Sequence, residues 1–179
     1  MKFVAHAIFG LSLVLPSAFA ATAAAATAPV ATSADATHVK SVQDLLGAMQ
    51  IENVLRGVAA RSRYANPAQR QAVFAKLEKV PPAEVYRRLA PSVAPFVSTE
   101  TAVEMTRFYS TPYGKGVIHR KYNNGGQIMM PGMRETVPPE EKKERKRAAY
   151  VRASKELAEA EPKIEHEAFV LLQAINKGK

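Results

Sequence analysis

Phe108-Tyr109-Ser110-Thr111-Pro112-Tyr113-Gly114-Lys115-Gly116 is the stretch on which the reading of this chain turns. A glycine-rich run ending in lysine invites comparison with a phosphate-binding loop. That loop needs a glycine five positions before its Gly-Lys pair and a hydroxyl residue after it, to cradle phosphates and reach a metal. Here Tyr109 stands upstream and Gly116 downstream. The motif fails at both ends.

The same residues make good sense as a corner between two helices. Thr111 is a favourable N-cap, Pro112 suits the first helical position, and the residue before a proline avoids helical angles. One helix therefore ends at Ser110 and another starts at Pro112. Gly114 and Gly116 would fall in the new first turn, where the lack of a β-carbon lets two helices approach closely.

Working backwards, Ser98 or Thr99 is expected to cap the helix that leads into the corner, with Glu100 at the positive end of its dipole. Its inward face would be Ala102, Met105, Phe108 and Tyr109. Asn66-Pro67 is another cap-and-proline start, opening a helix to about Lys79 that buries Val73, Leu77 and Val80 and stops at Pro81-Pro82. A short helix over 82–90 buries Val85 and Leu89, and Pro91 and Pro95 make the path to Val97 irregular. Earlier still, two apolar stripes follow each other: Val42, Leu45, Leu46 and Met49, then Ile51, Val54, Leu55 and Val58. Val42 and Ile51 are nine residues apart, which at about 100° per residue puts the stripes on opposite sides of one straight rod. A break near 48–50, or burial on two sides, follows.

Beyond the corner, Asn123-Asn124-Gly125-Gly126 reads as a turn and 127–137 has no clear period. After Pro138-Pro139 comes the strongest periodicity in the chain. Tyr150, Ser154, Leu157, Glu161, Ile164, Ala168, Leu171 and Ile175 recur at steps of three and four, with Ala153 and Ala160 widening the stripe. The phase is unbroken across Pro162, so one long C-terminal helix, kinked near Pro162, is expected. Glu141 and Arg145 form a favourable i,i+4 pair near its start. No segment alternates as a strand does. The fold class expected is all-α: one helical bundle of about five to seven helices.

The N-terminus carries an address. Lys2, the mostly apolar run Val4 to Leu15, Pro16 and the small-x-small triplet Ala18-Phe19-Ala20 read as a signal peptide over 1–20, cleaved after Ala20 or Ala23. His6 and Pro16 interrupt the run before the about 20 apolar residues a membrane span needs. Residues 21–37, rich in Ala and Thr, are expected to be a flexible leader, and 38–179 a single all-α domain. With no cysteine, neither a disulfide nor a lipid-modified cysteine is available. The net charge is +9, of which cleavage would remove only Lys2. A basic exported protein is drawn to anionic lipid or wall polymer, and export argues against nucleic acid. The address expected is the periplasm, with secretion as the alternative.

Two segments, Leu45-Leu46-Gly47-Ala48-Met49-Gln50-Ile51-Glu52-Asn53-Val54-Leu55 and Thr101-Ala102-Val103-Glu104-Met105-Thr106-Arg107-Phe108-Tyr109-Ser110-Thr111-Pro112-Tyr113-Gly114-Lys115, resemble the bacterial domain-of-unknown-function family 2059. Its hallmark, an acidic helix ending in an aromatic pair and a Thr-Pro-x-Gly-Lys corner, is matched by Phe108, Tyr109, Thr111, Pro112, Gly114 and Lys115. The resemblance implies an exported helical protein and supplies no catalytic residues. The chain departs from the pattern after the corner, where Gly116 and then Asn-Asn-Gly-Gly stand in place of a long regular helix.

Few residues suggest chemistry. His166-Glu167 opens like a zinc-protease motif, but the second histidine four residues on is Val170. No nucleophile-elbow pattern is present. Glu100 and Glu104 share a helix face, as a glycosidase pair could, but such pairs are ordinary on solvated helices. Met129, Met130 and Met133 offer soft thioethers that suit Cu(I), without histidine or cysteine to reinforce them. The run Glu140 to Arg147 places Lys142, Lys143, Arg145, Lys146 and Arg147 together, either as a solvated helix or as a contact for an anionic surface. No cofactor is called for. The reading that results is a non-enzymatic binding module of the cell envelope, using an apolar groove rimmed by basic residues. A hydrolase acting on cell-wall glycan and a copper-binding protein are the alternatives.

Overall fold

The computed structural model describes residues 36–123 and 138–178. These lie in the compact unit Thr32–Lys179. Eight α-helices and one short 3-10 turn make up the described residues, and none of them is in a strand, so the fold is all-α. The helices are α1 (Ala36–Ala48), α2 (Ile51–Arg61), α3 (Pro67–Glu78), α4 (Pro82–Val93), α5 (Thr99–Ser110), α6 (Pro112–Asn123), α7 (Pro139–Glu144) and α8 (Ala148–Asn176).

The break between α1 and α2 falls where the opposed stripes require it. Gln50 adopts a left-handed backbone, φ 51° and ψ 52°, and re-aims the chain so that both stripes reach the core. Val42, Leu45, Leu46 and Met49 are buried on one side of the break, Ile51, Leu55 and Val58 on the other. The first helix also begins earlier than expected. Ala36 and Thr37, assigned to the leader by composition, form the first turn of α1, and Ser41 Oγ donates to the Thr37 carbonyl.

The caps are where the sequence puts them. Asn66 accepts from the Gln69 amide at the start of α3, and Ser98 Oγ accepts from the Thr101 amide at the start of α5. Helix α4 runs three residues past Ala90, with Pro91 inside it. Pro91 is exposed, whereas Ala90, Val93 and Ala94 are buried, so packing of that face carries the helix past one missing hydrogen bond. The 3-10 turn Ala94–Phe96 then leads to Val97.

Helix α8, 29 residues long, is the spine. It packs against α2, α3, α4 and α5, while α1 packs against α4 and α5. It is continuous through Pro162, and Ala153, Leu157, Ala160, Ile164, Ala168, Leu171, Leu172 and Ile175 are buried along it. Two corrections concern its start. The chain turns at 145–147, so Glu140 and Glu141 belong to a separate six-residue helix, α7, and not to the spine. With that break the described helices number eight, where about five to seven were expected. Helix α7 buries no residue; a segment of Pro, Glu and Lys has nothing apolar to extend the stripe of α8.

Candidate functional site

The Phe108–Gly116 stretch is a corner. Thr111 Oγ1 accepts from the Gly114 amide at 2.9 Å and donates to the Phe108 carbonyl at 2.7 Å, tying the end of α5 to the first turn of α6. A β-carbon on Gly114 would lie 2.0 Å from the Phe108 carbonyl oxygen and 2.8 Å from the Tyr109 Cα, contacts with backbone that no side-chain movement relieves. Gly116 is different. Its β-carbon would meet only the Arg120 guanidinium at 3.4 Å, so close approach rests on Gly114 alone. Phe108 is buried, with Tyr109, Tyr113 and Tyr150 around its ring at centroid distances of 5.3, 6.1 and 4.8 Å. Burial pushes the Tyr109 hydroxyl well above its ordinary value. Pro112 and Lys115 are exposed; Lys115, with His119, lines a shallow hollow beside Gln50.

Two polar clusters lock α5 to its neighbours, one at its start and one nearer the corner. In the first, the Glu156 carboxylate on α8 receives the Ser98 amide (2.5 Å), Thr101 Oγ1 (2.7 Å) and Ser98 Oγ (3.0 Å). Burial alone would raise its pKa, but these three hydrogen bonds together outweigh it and hold the carboxyl below its ordinary value. In the second, Glu104, Arg107, Glu144 and Arg147 form a ring of alternating charge. Its ion pairs are Arg107–Glu104 (2.8 Å), Arg107–Glu144 (2.6 Å), Arg147–Glu104 (3.0 Å) and Arg147–Glu144 (3.0 Å). Burial opposes ionisation of Glu144, yet the hydrogen bonds from Arg107 and Arg147 prevail and lower its pKa. Glu141 is lowered first by the hydrogen bond from the Tyr113 hydroxyl, with Arg145 adding to it. Tyr113 in turn is pushed up to about 12, by burial and then by Glu141.

The ring disposes of one candidate pair. Glu104 is bound to two arginines, while Glu100 is exposed one turn away, so the two do not converge on a common site. His166 is exposed and Val170 is 47% exposed; among the described residues no group of three His, Cys, Asp or Glu side chains could hold a metal ion. Met129, Met130 and Met133 lie outside the described residues. Of the five basic residues at 142–147, Arg145 is paired with Glu141 and Arg147 belongs to the ring. Lys142, Lys143 and Lys146 remain exposed and unpaired among the described residues.

A groove lies elsewhere, between α2, α6 and α8. It has a volume of about 390 Å³ and is lined by Met49, Ile51 and Ile164, which are buried, and by half-buried Val54. Arg61 and Lys121 flank it, Arg61 paired with Glu165 and Lys121 with Glu161 at 2.5 Å. The Tyr122 hydroxyl donates to the Met49 carbonyl at 3.0 Å, fixing α6 against the turn between α1 and α2. Burial first, then the negative charges of Glu161 and Glu52, push that hydroxyl up to about 12. Arg61 and Glu165 also border a second hollow with Pro162, His166 and Phe169, and Phe169 borders a third with Tyr64 and Leu172. The three hollows follow one another as a furrow along α8, with the Arg61–Glu165 pair between the first and second and Phe169, 41% exposed, between the second and third.

Sequence reasoning expected an apolar groove with a basic rim but assigned no residue to it, and read Met49, Ile51, Val54 and Ile164 as stripe positions facing the core. One signal was present. Glu161 interrupts the apolar stripe of α8, and a glutamate at a stripe position marks an edge where another helix must supply a cation. Comparison of the chain with family models, with curated proteins and with solved structures finds no match.

Proposed function

We propose that this protein is a non-enzymatic binding module of the bacterial cell envelope, exported to the periplasm, which seats an extended apolar segment of a protein or polymer partner in the furrow along α8. The observation that carries the reading is the groove itself: an apolar floor of Met49, Ile51, Val54 and Ile164 between Arg61 and Lys121. Concave apolar surface with a few oriented polar groups is what ligand sites are made of. The N-terminal signal-like run and the resemblance of the Phe108–Lys115 corner to an exported family support the location.

A glycan hydrolase is the second reading, favoured by one feature, the presence of both Glu161 and Glu165 on the groove. Glycoside hydrolysis needs one carboxyl group to protonate the leaving oxygen and another to act on the opposite face. Here each carboxylate is already the partner of a cation, which leaves the groove without a free carboxyl group for the first task.

Photo-crosslinking separates the readings. A crosslinker at Asn53, which lines the groove, is expected to capture an envelope component that one at exposed Lys79 does not, and Val54→Glu should abolish the capture. Equal capture from both positions would remove the groove as the binding site. Release of sugar from wall glycan, lost in Glu161→Gln or Glu165→Gln, would instead establish the hydrolase.

A further inference from the structure

The elements flanking the turn at 145–147 sort their charges by direction. Glu141 and Glu144 face the bundle, where they accept from Tyr113, Arg145, Arg107 and Arg147. On the wheel of α7, Lys142 and Lys143 lie about 100° apart and each about 100° from the nearer of those acids, and Lys146 follows in the turn at 145–147. All three are exposed and carry no ion pair among the described residues. Arg152 and Lys155, on the first turns of α8, are likewise exposed and unpaired among them. Against these five cations, the acids without a partner on α5, α7 and α8 among the described residues are Glu100, Glu140, Glu159 and Glu167, of which Glu159 stands one turn beyond Lys155. The inward acids therefore do two things: they tether α7, and they remove from the outer surface the charges that would repel an anion.

Apolar surface is present beside the cations of α8. Val151 is 47% exposed and lies within about 100° of Arg152 and Lys155 on a helical wheel, away from buried Ala153, Leu157 and Ala160. Cations beside an exposed aliphatic side chain match the boundary between lipid headgroups and acyl chains. We propose that this α7–α8 shoulder docks on an anionic lipid surface, with Lys142, Lys143, Lys146, Arg152 and Lys155 against the headgroups and Val151 toward the acyl region. Among the described residues no helix is long and apolar enough to cross a membrane, so the contact is peripheral. It is independent of the furrow along α8 and of what that furrow binds.

The test uses the unit Thr32–Lys179, which contains the whole described core and lacks the apolar run Val4 to Leu15. Co-sedimentation with vesicles of phosphatidylglycerol and phosphatidylcholine is expected, and with pure phosphatidylcholine it is not. The triple variant K142Q/K143Q/K146Q should lose affinity for the anionic vesicles on the order of a hundredfold, given the contribution of each lysine near such a surface. Arg61→Gln, in the furrow, should bind vesicles as the wild type does. A helical circular dichroism spectrum from the triple variant keeps the comparison valid, and Lys142→Gln alone, with a loss of about fivefold, serves if that variant unfolds. Equal binding to neutral and anionic vesicles, or an unchanged triple variant, would overturn the proposal. Binding to soluble anionic polymer such as polyphosphate without binding to vesicles would overturn the lipid as partner.

Discussion

The carbonyl oxygen of Phe108 stands 2.0 Å from the point that a β-carbon on Gly114 would occupy, and Thr111 Oγ1 bridges the same two residues. Helix α6 can leave α5 at this angle only while position 114 has no side chain. Gly114→Ala should therefore destabilise by about 3 kcal/mol or more, since backbone must move to admit the methyl group. Gly116→Ala, in the same helix but meeting only the flexible Arg120 side chain at ordinary contact distance, should stabilise by about 0.5–1 kcal/mol. Pro112→Ala should be mild. Urea denaturation of the three variants checks the ordering, and a Gly114→Ala protein as stable as wild type would refute the clash.

Glu156 holds the start of α5 from the side of α8. Glu156→Gln keeps the shape but replaces three hydrogen bonds to a charge with weaker neutral ones, for a loss of roughly 1–2 kcal/mol. Its pH dependence has a definite sign. The folded pKa values of Glu141, Glu144 and Glu156 all lie below the ordinary 4.5. Their contribution is complete above 4.5 and is lost as pH falls through the depressed folded values. Melting temperature should fall on acidification through that window, and less steeply in Glu156→Gln. A parallel decline in both proteins would show that Glu156 contributes nothing.

Helix α7 is tied down by charge without burial. At 1 M salt the screening length drops to about 3 Å. Hydrogen exchange over 139–144 should accelerate with salt, while the α8 amides around Leu157 and Ile164 stay protected. Arg107→Met should produce the same acceleration at low salt by removing one of the two arginines that Glu104 and Glu144 share. Salt-independent protection of α7 would mean that something other than the ring holds it.

Gln50 occupies a backbone region that costs a residue with a β-carbon about 1–2 kcal/mol and costs glycine little. Gln50→Gly should raise stability by up to about 1 kcal/mol, less the exposed hydrogen bond from Asn53 that the substitution removes. A lower melting temperature for the variant would contradict this.

These predictions divide according to what the chain makes legible. The Thr111 cap, the Asn66-Pro67 start and the reversal at Gln50 are local: each follows from steric or helical periodicity within a few residues, and each is found in the structure. The Glu156 latch, the Glu104–Arg107–Glu144–Arg147 ring and the Arg61–Glu165 pair join residues far apart in the chain. From sequence they are indistinguishable from solvated helix charges. The separation of α7 from α8 was missed for the same reason, because only the position of Arg107 and Tyr113 in space gives the acidic run somewhere to bind. The furrow along α8 is likewise a product of how α2 and α6 meet the spine, which no single stripe records.

A last consequence comes from the contrast between α7, with nothing in the core, and α8, with eight buried residues. A protease that severs the backbone within α7 would cut no segment that the interior depends on. The two fragments would then migrate as one particle under native conditions and part only in denaturant, so that limited digestion could turn a single chain into a self-assembling pair.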